Sequence, residues 1–378
     1  MITAIIGANY GDEGKGLAVN YFTREGKNLV VRHNGGAQSG HTVESGDKRF
    51  VFHELSSGSF NGAATYWEAT YHPDLYTLGT ELGKFYSLTH TLPQIYCNAY
   101  AKITTIDDVL INCYKESAWH KFGSCGMGIW ECVCRNNAGY AITVKQVNEL
   151  TVEQLYALLV SNRENYSKPL LKRLSADPDN AYVQMLSDNT ILRNYAVEIK
   201  QNLKNVTIIS HLRDIIDSFD NIVFESGQGL LLDGDYDTEH GTPSKTGIIN
   251  ITNSLEQVDR SLDEVVYVTR TYLTRHGRGN FVNEIDLGYE DVTNHYNEWQ
   301  EGVRYGKFET LADLEKRVNA DSFGLKVKPH ILVTHANVTN GKFLTDTGTV
   351  DIADLDFEKI YVSDNRQTVN DVIMKGSL

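Results

Sequence analysis

The apolar run Ile2–Gly7 (ITAIIG), followed at once by Ala8-Asn9-Tyr10-Gly11-Asp12-Glu13-Gly14-Lys15-Gly16, constrains this chain more than any other feature. An unbroken apolar run of that length ending in glycine reads as a buried strand. The glycine-rich turn and the helical run to about Thr23 place backbone N–H groups and the positive end of a helix dipole at the strand's carboxyl end. Lys15 adds a point charge suited to phosphate. These are the physics of a phosphate-binding loop without its common pattern. Asn9 stands where glycine is usual, and Gly16 follows Lys15 in place of Ser or Thr. Asp12 puts a carboxylate inside the loop, where it repels phosphate unless it binds metal or takes a proton.

Similar runs recur at 28–32 (NLVVR), 221–225 (NIVFE), 264–270 (EVVYVTR) and 330–334 (HILVT). Each is rich in Val or Ile, as parallel strands are when both faces are covered. Helical patterns lie between them. Residues 151–163 open with Thr151 and Gln154 at capping-box spacing. The alternation predicts an α/β fold: a central, mostly parallel sheet with helices on both faces. Ligands bind such sheets at the carboxyl ends of the strands. No repeat or low-complexity tract interrupts the pattern, and six prolines in 378 residues argue against a long hinge. Residues 1–378 read as a single catalytic domain with insertions.

The 35 basic against 49 acidic residues give a formal charge of −14, which repels nucleic acid and acidic membranes. There is no run of five Lys or Arg to override it. Small phosphorylated metabolites remain compatible, because a local pocket can offset the global field. No stretch approaches the ~18 apolar residues of a membrane-spanning helix. The apolar start is too short for a signal peptide. Cys97, Cys113, Cys125, Cys132 and Cys134 lack the spacing of a zinc site or a disulfide framework. Reduced thiols and a cytoplasmic location are the expectation.

Two further loops carry chemistry. Residues 34–42 read Asn-Gly-Gly-Ala-Gln-Ser-Gly-His-Thr directly after a strand, and His41 can exchange a proton near neutral pH. Residues 224–233 read Phe-Glu-Ser-Gly-Gln-Gly-Leu-Leu-Leu-Asp. There Gln228, between glycines, can read an amide edge such as a purine 6-oxo group.

Together, GDEGKGL (11–17), GGAQSGHTV (35–43) and FESGQGLLLD (224–233) resemble the adenylosuccinate synthetases. FHELSSG (52–58), GSCGMGI (123–129), HGTPSKT (240–246) and TRHGRGNF (274–281) extend the resemblance in register. It implies a ligase that joins L-aspartate to carbon 6 of a 6-oxopurine nucleoside monophosphate. A nucleoside triphosphate first phosphorylates oxygen 6, and aspartate then displaces phosphate. Asp12, His41, Lys15 and Gln228 would be catalytic, with Asp12 as base and His41 on the transferring phosphoryl group. Gly11, Glu13, Gly14, Lys15, Gly16, Gly40, His41 and Thr42 would hold the triphosphate. Asn9, Asp12, Gln38, Ser124, Cys125, Gln228 and Thr246 would meet the acceptor, with Arg135 reaching it across a homodimer interface. Arg304 and Arg275 would face aspartate. His335, Asn337 and Ser363 would contact the triphosphate's base. Mg2+ would sit near Asp12 and Gly40.

Some positions depart from the cellular pattern. Thr334-His335-Ala336-Asn337 stands where a TKLD segment reads guanine, and an Asn amide lacks two equivalent acceptors. ATP or dATP therefore becomes a candidate donor. The arginine-rich segment is thinned at 301–309, which makes a deoxyribose acceptor plausible. With the compact length, these features resemble the viral branch that makes 2-aminoadenylosuccinate from dGMP. Asp12 points the other way, since viral members carry Ser there. The expectation leans to dGMP, with IMP and GTP, or a non-catalytic nucleotide-binding homologue, as alternatives.

Overall fold

A computed structural model describes residues 1–236, 239–289, 291, 296 and 298–375. The chain opens with β1 (Ile2–Gly7), α1 (Lys15–Phe22) and β2 (Asn28–Arg32), then a hairpin of β3 (His41–Ser45) and β4 (Lys48–Phe52). β5 (Ala64–Trp67), α2 (Leu75–Thr89) and β6 (Ile95–Asn98) follow. A helical segment then runs through α3 (Ile106–Tyr114), α4 (Ile129–Asn137), α5 (Val144–Glu149), α6 (Val152–Asn162), α7 (Lys168–Arg173), α8 (Ala181–Ser187) and α9 (Thr190–Leu203). β7 (Val206–Ile209), β8 (Asn221–Gly229), α10 (Ile249–Glu256) and β9 (Glu264–Arg270) return to the sheet. A small sheet of β10 (Leu273–Arg275), β11 (Glu284–Ile285) and β12 (Arg304–Gly306) precedes α11 (Leu311–Asp321) and β13 (Pro329–Thr334). The hairpin β14 (Lys342–Thr345) and β15 (Gly348–Asp351), then β16 (Lys359–Val362) and β17 (Asp371–Met374), complete the order.

The main sheet has the order β17-β16-β13-β9-β1-β8-β2-β5-β6-β7. Its pairings are parallel except β16 with β17. The expected mostly parallel sheet is therefore observed. Both faces are covered: Ala4 and Ile6 pack with Ile251 and Leu314 on one side, and Ile5 packs with Leu17 and Val19 on the other. That is why β1 is apolar at consecutive positions rather than alternating. Thr151 caps α6 with the anticipated capping box, and the helix ends at Asn162 in a π-turn over Arg163–Ser167.

The strand order decides where chemistry collects. β8 lies between β1 and β2, so the loops after all three converge at one end of the sheet. The loop after β1 runs close against its neighbours. Gly14 is left-handed at φ 97, and a Cβ there would sit 2.9 Å from the Thr334 methyl. A Cβ at Gly16 would lie 2.8 Å from the Thr42 carbonyl oxygen, which explains the missing hydroxyl residue after Lys15. Gly16→Ser is expected to destabilise the protein by about 1–3 kcal/mol through overpacking. Urea unfolding measures this, and an unchanged midpoint would show that β3 can yield.

Candidate active site

The loop after β1 is organised from within by Glu13, which is 1% exposed. Its carboxylate accepts from Asn9 N at 3.0 Å, Gly11 N at 2.8 Å and Lys15 Nζ at 2.9 Å. The ammonium is thereby positioned at the start of α1. Asp12 adopts φ 60 and projects the other way, into a cavity it shares with Gly11, Lys15, Gly40, His41 and Thr42. One Asp12 carboxylate oxygen lies 2.6 Å from His276 Nδ1, and Arg270 Nε donates to the Asp12 carbonyl at 2.6 Å. Burial pushes the Asp12 carboxyl up, but His276, Arg270 and Lys15 outweigh it and hold it at about 2.

His41 is held from behind. Its Nδ1 lies 2.6 Å from the buried Glu225 carboxylate, while Nε2 has no partner among the described residues. Ser57 donates to Glu225 through both N and Oγ, and Arg32 Nε stands 4.0 Å away. Burial works to raise the Glu225 carboxyl, yet His41, Arg32 and Ser57 set it at about 2. Burial keeps the His41 ring below its ordinary value despite that carboxylate. A neutral ring donating Nδ1–H to Glu225 leaves Nε2 for a ligand.

A second cavity adjoins the first and shares Gln38, Gln228, Leu232, His276 and Gln300 with it. Ser124, Cys125, Lys115, Arg278 and His240 line its far side. A third recess, lined by His335, Asn337, Tyr289 and Arg366, meets the first at His335 and Arg366. Burial lowers the His335 ring to about 3, so it is neutral near pH 7.

The structure thus brings Gly11, Asp12, Gly14, Lys15, Gly16, Gln38, Gly40, His41, Thr42 and Gln228 together, with Ser124 and Cys125 in the adjoining cavity. His335 and Asn337 lie in the third. Other expected residues are placed elsewhere. The Glu13 side chain is turned beneath its loop. Asn9 donates to Thr269 and accepts from Arg317, tying the loop to β9 and α11. Thr246 is 0% exposed, and its amide binds Asp233. Ser363 donates to the Asn365 and Thr368 carbonyls and so shapes the loop after β16.

The arginines are engaged within the protein. Arg135 is 1% exposed, paired with Asp108 at 2.9 Å and bonded to the Ile103 and Tyr140 carbonyls. A guanidinium engaged in this way cannot reach across an interface without leaving Asp108 buried and unpaired. Arg275 donates to the Asn280 carbonyl and stacks over Tyr10. Arg304 holds the Gly277 and Gly279 carbonyls and pairs with Glu284. Both brace the 275–281 loop, and neither lines the three cavities. Residues missed in the sequence are His276, Arg270, Arg278, Arg366 and, behind His41, Glu225. A signal for two of them existed, since an ion in a strand of valines, as at Glu225 and Arg270, must have a buried partner.

The adenylosuccinate synthetase family model matches residues 4–310. The chain belongs to the adenylosuccinate synthetase family. It is 28% identical to the adenylosuccinate synthetase of Lactobacillus johnsonii over 294 residues, 75% of this chain and 65% of that protein. The Borrelia duttonii enzyme is 25% identical over 311 residues, 81% and 68% of the two chains. The match thus spans about 65% of the length of curated relatives such as the first. Among solved structures, the fully ligated adenylosuccinate synthetase of Plasmodium falciparum superposes with TM-score 0.69 at 20% identity, covering 92% of this chain and 82% of that one. The cyanophage S-2L succinoaminodeoxyadenylate synthetase, bound to dGMP and dATP, superposes with TM-score 0.63 at 14% identity, covering 100% and 95%. These last two similarities establish the shared fold. Among the described residues no helix is long and apolar enough to cross a membrane.

The family raises the question of magnesium. Among the described residues no three His, Cys, Asp or Glu side chains converge on one point. Mg2+ needs no such cage, because it keeps waters and takes phosphate oxygens. Asp12, whose side chain is 25% exposed, and Gly40 both line the phosphate-loop cavity. This donor set fits an ion that arrives with a triphosphate.

Two outcomes follow. Arg135→Ala should cost about 3–5 kcal/mol of stability by stranding Asp108, while the folded fraction keeps its acceptor KM. A raised acceptor KM with unchanged stability would instead place Arg135 at a site. Glu225, depressed from 4.5 to about 2, should contribute stability above pH 4.5 and lose it as pH falls through 2. Glu225→Gln should flatten the stability–pH curve over that window in urea titrations. An unaltered slope would mean that the carboxylate is not held as described.

Proposed function

We propose that this protein is a ligase that joins L-aspartate to carbon 6 of a 6-oxopurine nucleoside monophosphate, driven by a nucleoside triphosphate with Mg2+. The observation that carries the proposal is the pair of adjoining cavities. The phosphate-loop cavity and the Ser124–Cys125 cavity share Gln38, Gln228 and His276, and Asp12 stands against His276. A triphosphate in one and a purine monophosphate in the other would meet there.

In this reading Lys15 and the amides of the loop after β1 hold the triphosphate. Asp12 and Gly40 would hold Mg2+, which would supply charge neutralisation to the phosphates when bound. Asp12 takes the N1 proton while oxygen 6 attacks the γ-phosphorus and the nucleoside diphosphate leaves. His41, oriented by Glu225, presents Nε2 to the transferring phosphoryl group. Gln228 and Gln38 meet the purine edge. The amine of aspartate then attacks carbon 6, loses a proton, and phosphate departs. With Arg275 and Arg304 bracing the 275–281 loop, Arg278 is the nearer candidate for the aspartate carboxylates. A homodimer is part of this reading.

For the acceptor we propose dGMP, with ATP or dATP as donor. Asn337 in the third recess supports a donor other than GTP. His276 engages one Asp12 oxygen, which favours a carboxylate drawn aside from a guanine 2-amino group. The cyanophage protein of similar extent carries dGMP and dATP. IMP with GTP is the second reading, favoured by the retained Asp12 carboxylate.

The decisive assay offers Mg2+, aspartate and either IMP or dGMP with ATP, dATP or GTP, and follows phosphate release and product mass. Aspartate-dependent turnover with dGMP and ATP or dATP is expected. Turnover confined to IMP and GTP would establish the second reading. No phosphate release with any combination would mark a nucleotide-binding homologue without the chemistry. His41→Asn should cut kcat by about 100-fold or more with smaller changes in KM.

A further inference from the structure

We propose that Glu81, remote from the cavities, is a positioning residue for His41 and acts through the 53–57 loop that delivers Ser57 to Glu225. The proposal rests on the ligase reading only in assigning His41 a catalytic task.

Glu81 lies on α2 and is 4% exposed. One carboxylate oxygen accepts from His53 N at 2.9 Å and Leu55 N at 3.3 Å, and the other from Glu54 N at 2.7 Å. One side chain thus gathers the amides of consecutive residues just beyond β4. With those amides turned to α2, the His53 and Leu55 carbonyls accept from Arg32 Nη1 at 3.0 and 3.1 Å. The Nη2 of Arg32 donates to Ser39 Oγ at 2.5 Å, two residues before His41. His53 Nδ1 also lies 2.8 Å from the Ala37 carbonyl, a second tie to the His41 loop. Further along, Ser57 N and Oγ donate to the Glu225 carboxylate that orients the His41 ring.

The segment that carries these supports of His41 is gathered at three consecutive amides by Glu81. Trp67 Nε1 and the Tyr71 hydroxyl donate to the Glu54 and His53 carbonyls at 2.9 and 3.1 Å, and Ser56 N donates to Thr65 Oγ1 at 3.0 Å. Apolar burial of Phe52 and Leu55 anchors the segment in the core, but it does not set which way the peptide planes face. Hydrogen bonds do. A glutamine at this position has only one acceptor oxygen and would set its NH2 donors against an amide N–H. Rotation of the 53–55 peptides would then loosen the grip of Arg32 on Ser39 and shift Ser57 from Glu225.

The test uses the full chain with Glu81→Gln, Ser57→Ala and the double variant. Kinetics are joined to the downfield proton resonance of His41 Nδ1–H at one fixed pH. Glu81→Gln should lower kcat by ~10–100-fold with KM values little changed, as loss of an orienting partner does. The resonance should move or broaden, and the double variant should be little worse than the more impaired single variant, since both changes act on one path. A lower Tm with kcat and resonance unchanged would overturn the proposal, as would additive losses. If Glu81→Gln does not fold, Glu81→Asp keeps the carboxyl group but draws it back, and the same shifts are expected of it. If no acceptor supports turnover, the ligase reading fails by itself. The His41 resonance then decides this proposal: displaced in the Glu81 variants it stands, and unmoved it falls.

Discussion

The active end of this molecule depends on one buried carboxylate, Glu225, in the middle strand of three. Ionised and removed from water, it is tolerable only because Arg32, Ser57 and His41 surround it. Those partners come from β2, from the 53–57 loop and from the start of β3. Meeting the electrostatic needs of one group therefore draws separate stretches of chain to the same point. The parallel order β1-β8-β2 makes the meeting possible, since it sets the loop after β1 on one side of Glu225 and the His41 loop on the other.

The same device recurs on a smaller scale. Glu13 gathers the amides of Asn9 and Gly11, and Glu81 those of His53, Glu54 and Leu55. Glu116 accepts from Gly123 N at 2.9 Å and Ser124 N at 3.0 Å in the adjoining cavity. Loops that carry ligand-facing groups cannot satisfy their amides through sheet pairing, and a buried acid substitutes for the missing strand. Rigid loops of this kind hold a site in shape before its ligands arrive, which is what electrostatic catalysis of phosphoryl transfer needs.

The strands and the loops that follow them were legible because they are local. A valine-rich run declares a strand, and Gly11, Gly14 and Gly16 declare a tight turn beside it. The partners of ions were not legible. Glu225 meets His41 across 184 residues, and Asp12 meets His276 across 264. Arg135, Arg275 and Arg304 show the same difficulty in reverse. A motif marks an arginine as present, but whether its guanidinium faces a ligand or a buried carbonyl depends on distant residues such as Asp108, whose position no spacing reveals. Asn9 likewise meets Thr269 across 260 residues.

In the proposed reaction a purine 6-oxygen would lie beside the γ-phosphate held above Lys15, at the junction of two cavities. Isotopic labelling tests that contact most directly. An acceptor carrying 18O at carbon 6 is turned over with Mg2+, aspartate and triphosphate, and the released phosphate is analysed by mass. The account predicts that the label passes from the purine into phosphate, because oxygen 6 attacks phosphorus before aspartate displaces it. Unlabelled phosphate, with its new oxygen drawn from water, would contradict that order of events and the placement of the acceptor beside Asp12 and His41.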